Sequence, residues 1–294
     1  MKMIRGIRLH NQTADGHTIV SINTGVLHHA GQEKQAVNYE GLSFVPGFEE
    51  GAFLPKKNWR SLNSTELNIL KPVGKHDIGK TICIGEIPDE LKTLFEQLHL
   101  DTCRNREDVF ARFREHPTIT TAINTLTDQF LQSKSNGHPY KFHYLGTNLP
   151  DLEVTACDTT VMRTGYTEQD KKYMGIHNDG TEYVSPYQLH KLGNRLTINL
   201  GREPRSFLFL NLTMVQALNK LKQVIDVDEH KIDIINIADY FFKYFPDYPV
   251  VKITQHPYQY YIAPTDNCFH DGSTLGMKSL DIILVYFGMF TCKM

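Results

Sequence analysis

The chain of 294 residues lacks an apolar run long enough to cross a membrane. Its longest, Ile282 to Phe290, is short and is broken by Gly288. It lacks surplus charge of either sign, with 31 Lys+Arg against 33 Asp+Glu and a formal net charge of −2. That balance removes any general attraction to nucleic acid or to an anionic membrane surface. It lacks a CxxC pair. The five cysteines (Cys83, Cys103, Cys157, Cys268 and Cys292) are odd in number and scattered, which excludes a Cys-rich zinc module and a disulfide scaffold. The expectation is of free thiols in a reducing, cytoplasmic compartment. The first sixteen residues carry charge but no apolar segment, so no secretory leader is expected. Fixed-period repeats and low-complexity tracts are also missing, which excludes solenoids and disordered arms.

What the chain does have is histidine. Its 14 histidines are about twice an average share, and histidine is both the commonest metal ligand and the side chain that titrates near neutrality. Texture divides the chain near residue 138. Residues 1–138 mix short strand-like runs, such as Thr18–Ile22 and Leu42–Val45, with helical segments. In DELKTLFEQLHL, Leu91, Leu94, Phe95 and Leu98 share one helical face behind an acidic start. Two further helices are expected around 107–115 and 118–132. From 139 to 294 the runs KFHYLG, EVTACDTTVMRTGY, RLTINLG, SFLFLNL, PVVKITQ, YQYYIAP and SLDIILVYFGMF read as strands. A helical insertion at about 214–245 interrupts them. The expected fold is α+β with a mainly β core: a double-sheet jelly roll carrying a helical N-terminal support, the whole forming one compact unit.

The stretch GKHDIGKT (74–81) fits the phosphate-loop pattern GxxxxGK[ST]. Phosphates at such a loop are held by the free N–H groups of a helix that starts at the Lys-Thr pair. Here Thr81 leads into ICIGEIP, a β-like run ending at Pro88, so the stretch reads as a glycine turn between extended segments. Two His-x-Asp triplets also occur. His99-Leu100-Asp101 closes a helix, where a histidine suits the dipole. His177-Asn178-Asp179 lies where strand texture gives way to a Gly-flanked polar loop. Residues i and i+2 of an extended segment project to one face, so His177 and Asp179 can offer a nitrogen and an oxygen to one ion. His270, in YIAPTDNCFHDGS, follows a β run about ninety residues later. Two histidines and one carboxylate form the facial triad of non-haem Fe(II), which leaves positions open for a co-substrate and O₂.

The HxD triplet, the distal histidine segment YIAPTDNCFHDGS and the final strand SLDIILVYFG resemble the Fe(II)/2-oxoglutarate-dependent dioxygenases, particularly the small-molecule and amino-acid hydroxylases. The resemblance covers roughly residues 140–290. It implies a double-stranded β-helix of the cupin-like kind, with Fe(II) bound by His177, Asp179 and His270 and 2-oxoglutarate chelated to the iron. The far carboxylate of 2-oxoglutarate needs a buried cation. An arginine about ten residues past the distal histidine is expected from the family, but the chain reads DGSTLGMKSLD there, with Lys278 and Ser279 at the start of the last strand. Arg195, on the strand after HxD, is an equal alternative, and Arg163 is a third. Arg202 and Arg205 in GREPRS read as surface salt-bridge residues. The carboxylate of Asp179 implies hydroxylation or a related oxidation rather than halogenation.

Three functions follow. The first is an oxygenase that hydroxylates, or otherwise oxidises, a C–H bond of a small molecule with release of succinate and CO₂. The second is a cupin-like metalloenzyme that does not use 2-oxoglutarate, and the third is a non-catalytic β-sandwich binding protein. Small-molecule substrates are expected, with neither nucleic acid nor membrane as partner.

Overall fold

A strand in which every second side chain is large and apolar has one face to bury, and the central strands of this chain, such as those at 81–86, 194–199 and 259–263, have two such faces. The computed structural model describes residues 2–13, 19–33, 35–74, 77–158 and 165–292. Among them the first half of the chain holds β1 (Arg8–Asn11), β2 (Val20–Ile22), β3 (Val26–His28), β4 (Val37–Tyr39), β5 (Leu42–Phe44), β6 (Gly47–Pro55), β7 (Arg60–Ser61), α1 (Ser64–Leu70) and β8 (Thr81–Glu86). Three helices follow, α2 (Asp89–Glu96), α3 (Arg106–Glu115) and α4 (Pro117–Ser135). The second half holds β9 (Tyr140–Asn148), β10 (Lys172–Gly175), β11 (Asn194–Asn199), β12 (Arg205–Phe209), α5 (Met214–Leu221), α6 (Ile237–Tyr244), β13 (Val251–Gln255), β14 (Gln259–Ala263), β15 (His270–Ser273) and β16 (Asp281–Gly288).

The protein is a mixed α+β structure with several sheets. A six-stranded sheet runs β1-β8-β14-β11-β16-β9, and a five-stranded sheet runs β15-β12-β13-β2-β7. A smaller sheet, β10-β6-β3, and the hairpin β4-β5 complete it. Strands from both sides of residue 138 share these sheets: β1 and β8 join the six-stranded sheet, and β2 and β7 the five-stranded one. No helix among the described residues is long and apolar enough to cross a membrane.

Alternation explains the layers. On β14, Ile262 and Tyr260 face outward into the cluster that includes Leu91 and Phe95 of α2 and Phe130 of α4. Tyr261 and Ala263 face inward, with Ile82 and Ile84 of β8, toward Phe207, Phe209, Val251 and Ile253 of the other sheet. The rings of Phe207 and Tyr261 stack at 4.2 Å. Helix α2 starts with Asp89 and Glu90 in its first turn and buries Leu91 and Phe95, as its 3.6-residue period requires. Helix α5 opens on a capping box between Thr213 and Gln216. Helix α6 lays Phe241 and Phe242 against Phe269, each at 5.1 Å between ring centroids, which buttresses the residue preceding His270.

Several expectations need correction. Residues 153–158 of EVTACDTTVMRTGY form no strand, only a single bridge between Cys157 and Tyr173, and residues 159–164 lie outside those described. The segment turns away because its backbone is taken up by Asp271, as described below. The cysteines are not five free thiols. Cys83 of β8 and Cys292 form a disulfide with Cα atoms 6.2 Å apart, and Cys103, Cys157 and Cys268 are free. The chain after β16 crosses the sheet end, where Asn194 exchanges two hydrogen bonds with the Phe290 backbone. That crossing brings Cys292 to β8. Linear spacing of the cysteines carries no trace of it.

Candidate metal centre

Gly175 begins the site. Its φ is +73°, and a Cβ there would come within 2.5 Å of the Phe53 carbonyl oxygen, so the position takes glycine without strain. The kink ends β10 and sends the chain across to the start of β15. There His177 and His270 form an isolated antiparallel bridge, with His177 N–H donating to His270 O at 3.1 Å and His270 N–H to His177 O at 2.6 Å. Their rings lie 4.7 Å apart. Asp179 is fixed by its own N–H, which donates to the Thr265 carbonyl at 3.1 Å.

The three side chains converge. His177, Asp179 and His270 each present one ligand atom, and these atoms all lie within 4.8 Å of one another. His177 Nε2 is 3.9 Å from Asp179 Oδ1, and His270 Nε2 is 3.7 Å from Asp179 Oδ2. The two rings are oriented for metal. His177 Nδ1 donates to the Gly175 carbonyl at 2.8 Å, and His270 Nδ1 donates to the Cys268 carbonyl at 3.3 Å. A hydrogen on each Nδ1 leaves the Nε2 lone pair facing Asp179, as ligation requires. Asp179 Oδ2 is buried and accepts no well-aimed hydrogen bond, its ion-pair neighbour being Arg195. An acceptor oxygen and two imidazole lone pairs aimed at one point are a donor set that fits a divalent Fe(II)-type ion.

The charges agree. Burial works to raise the carboxyl pKa of Asp179, but Arg195, His270 and His177 outweigh it and hold it at about 2. Burial pushes His270 down to about 4, against the opposing charge of Asp179. Burial also works to lower His177, but Asp271 and then Asp179 carry it above the ordinary histidine value.

The triad lies in a cleft of about 1220 Å³, roomy enough for a small-molecule ligand. Arg195 is beside the triad, its Nη2 3.1 Å from Asp179 Oδ2, and its Nε is buried without a hydrogen bond. Lys278 and Ser279 do not come to the cleft: Lys278 is exposed, and its N–H and the Ser279 hydroxyl bond the Glu203 carboxylate. Arg163 lies outside the described residues.

Arg205, read from sequence as a surface residue, is 2% exposed and lines the cleft. Its Nε donates to Asp281 Oδ1 at 3.0 Å and its Nη1 to Gln255 Oε1 at 3.4 Å. Asn148 donates to the other Asp281 oxygen at 2.7 Å. Arg205 Nη2 lies over Gly272, where a Cβ would stand only 2.5 Å from it. The signal was present in the sequence, since Arg205, Phe207 and Phe209 share one face of a strand whose apolar members are buried. Tyr261 and Thr197 also line this end. Burial raises the Tyr261 phenol, so it remains a neutral hydroxyl near neutral pH.

No family model and no curated protein matches the chain. Among solved structures it is similar to the Kdo hydroxylase KdoO, a non-heme Fe(II) alphaketoglutarate dependent dioxygenase. The complex with alphaketoglutarate and Fe(III) matches with a TM-score of 0.35, and the cobalt(II) complex and the apo structure with 0.34. Identity is 14% in each case, over 73% of this chain and 81% of that one.

Proposed function

We propose that the protein is an Fe(II)/2-oxoglutarate-dependent oxygenase that hydroxylates, or otherwise oxidises, a C–H bond of a small molecule. One observation carries this reading: two Nε2 lone pairs and a carboxylate, each held by backbone partners, converge at the base of a single large cleft. In this reading the two larger sheets are the walls of a double-stranded β-helix. Bound iron supplies an oxidant from O₂ and 2-oxoglutarate, and the balanced products are oxidised substrate, succinate and CO₂.

The chain's own residues have distinct tasks. His177, Asp179 and His270 hold the ion and leave the cleft-facing positions to ligands. Arg195 keeps Asp179 ionised through its 3.1 Å contact. Arg205 takes the role expected of Arg195 or Lys278, offering its guanidinium to the far carboxylate of 2-oxoglutarate with Tyr261 and Thr197 nearby. The sheets behind the site, closed by stacked Phe207 and Tyr261, keep water from that side. Tyr39, His143, Tyr166 and Lys171 line the rest of the cleft and favour a polar small molecule. We further propose that neither nucleic acid nor a membrane is a partner, in keeping with the balanced charge.

The test is O₂-dependent succinate formation from 2-oxoglutarate in the presence of Fe(II), with candidate substrates screened for stimulation. Loss of succinate in His177→Ala and His270→Ala is expected, and full turnover in either sinks the assignment. The pairing of Arg205 with Asp281 favours a second reading, a metalloenzyme without a keto-acid co-substrate. That reading prevails if Fe(II) binds and 2-oxoglutarate leaves its spectrum unchanged.

A further inference from the structure

Asp271 follows a ligand of the triad and is not itself a member of it. It is 1% exposed, and burying a carboxylate so completely requires partners. Its Oδ1 has three: the N–H groups of Thr155 and Ala156 donate to it at 3.0 Å each, and that of Gly272 at 2.7 Å. Its Oδ2 is buried without a hydrogen bond and stands 3.7 Å from His177 Nδ1. That nitrogen already donates to the Gly175 carbonyl. The ring edge of His177 turned away from the ion therefore faces a carbonyl oxygen and a carboxylate oxygen, whereas that of His270 has the longer bond to the Cys268 carbonyl.

Strand register explains how one residue reaches both elements. His270 and Asp271 project to opposite faces of β15, yet β15 is crossed at its start by the His177 segment and flanked by residues 152–156. Asp271 reaches the first with one oxygen and the second with the other.

We propose that Asp271 is a positioning residue for the metal centre. Its charge, 3.7 Å from His177 Nδ1, favours the tautomer whose Nδ1 hydrogen the Gly175 carbonyl accepts, leaving the lone pair on Nε2, and its other oxygen is anchored to the cleft wall at Thr155 and Ala156. A carboxylate behind a ligating histidine fixes the ring and strengthens its donation, and loss of such a partner weakens metal binding by about 10–100-fold. The inference rests on the triad as a metal site, so the experiment separates the two.

Asp271→Asn keeps an oxygen for the three backbone N–H groups and replaces the oxygen facing His177 by an amide NH₂. The variant is expected to fold, to bind Co(II) about 10–100-fold more weakly than wild type, and to show a changed Co(II) absorption spectrum. Titration of the two proteins with Co(II) alone reads all of this without turnover. In metal-free wild type, ¹⁵N–¹H correlation spectra of the histidine rings should show His177 with hydrogen on Nδ1, a measurement that stands even if the variant does not fold. Wild-type His177 with hydrogen on Nε2, or an Asp271→Asn protein with wild-type Co(II) affinity, overturns the role of Asp271 and leaves the metal site standing. Wild type that binds no Co(II) or Fe(II) overturns both.

Discussion

The two ends of the cleft hold charge in opposite ways. At the arginine end, Arg205 is matched by Asp281, and Asp281 in turn by Asn148, so the fold's own charges answer one another. At the triad end, Asp179 Oδ2 meets Arg195 at 3.1 Å without a well-aimed hydrogen bond, and both Nε2 atoms are turned toward that one carboxylate. Buried polar atoms with unused bonding capacity are costly, and two imidazole nitrogens beside a carboxylate suit an added ion. The contrast favours one end for an ion. It makes the other a preset cradle whose guanidinium is already oriented by Asp281 and Gln255.

The largest effect should come from emptying the triad. Asp179→Ala or His270→Ala is expected to weaken Fe(II) or Co(II) binding by more than about 100-fold, since loss of an outer partner alone costs 10–100-fold. Anaerobic titration measures it, and near-wild-type affinity would erase the contrast. Next is the arginine end. Arg205→Met strands the buried Asp281 charge and should cost about 3–5 kcal/mol in denaturant unfolding. The double variant Arg205→Met/Asp281→Met should recover most of that stability while 2-oxoglutarate binding stays lost. Recovery of binding along with stability would make the pair purely structural.

Gly272→Ala is a finer probe. The added methyl must displace the Arg205 guanidinium or the Thr155 hydroxyl, each 2.5 Å from its position, at about 1–2 kcal/mol of stability. KM for 2-oxoglutarate should rise about tenfold, as for a weakened hydrogen bond to a charged group, with metal affinity unchanged. The last probe, confined to one pH range, is a pH dependence at the triad end. Asp266 accepts from the N–H and hydroxyl of Thr181, just past Asp179, and burial raises its pKa to about 6. The folded state thus binds this proton more tightly than the unfolded chain does. The stabilisation is complete below the ordinary carboxylate value and is lost as pH rises through about 6. Asp266→Asn should flatten the stability profile between about pH 4 and 6, by up to about 3 kcal/mol. An unchanged profile would place the proton elsewhere.

Sequence legibility followed the same division. Strands β11 to β14 and β16 announce themselves because their β-branched and aromatic residues alternate or run unbroken. The four-residue strands β10 (KYMG) and β15 (HDGS) have no such pattern. Their extended state is imposed by the neighbours β6 and β12. His177, Asp179 and His270 were legible because i, i+2 spacing and turn context are local properties. Arg205 was missed although alternation put it on the buried face. Its partner lies 76 residues away, and a lone arginine beside a glutamate and a proline looks superficial until that strand has a neighbour. The Cys83–Cys292 link had no local sign at all.

The backbone bridge shared by His177 and His270 has a consequence for how the centre forms. A metal that must gather ligands about ninety residues apart closes a long loop on binding, and that entropy subtracts from its affinity. Here the peptide groups of the two histidines have already closed the loop, so an ion bound there would meet a finished separation set by backbone geometry. Ligand identity and ligand placement are thereby uncoupled: either imidazole can be exchanged while the backbone beneath it stays paired.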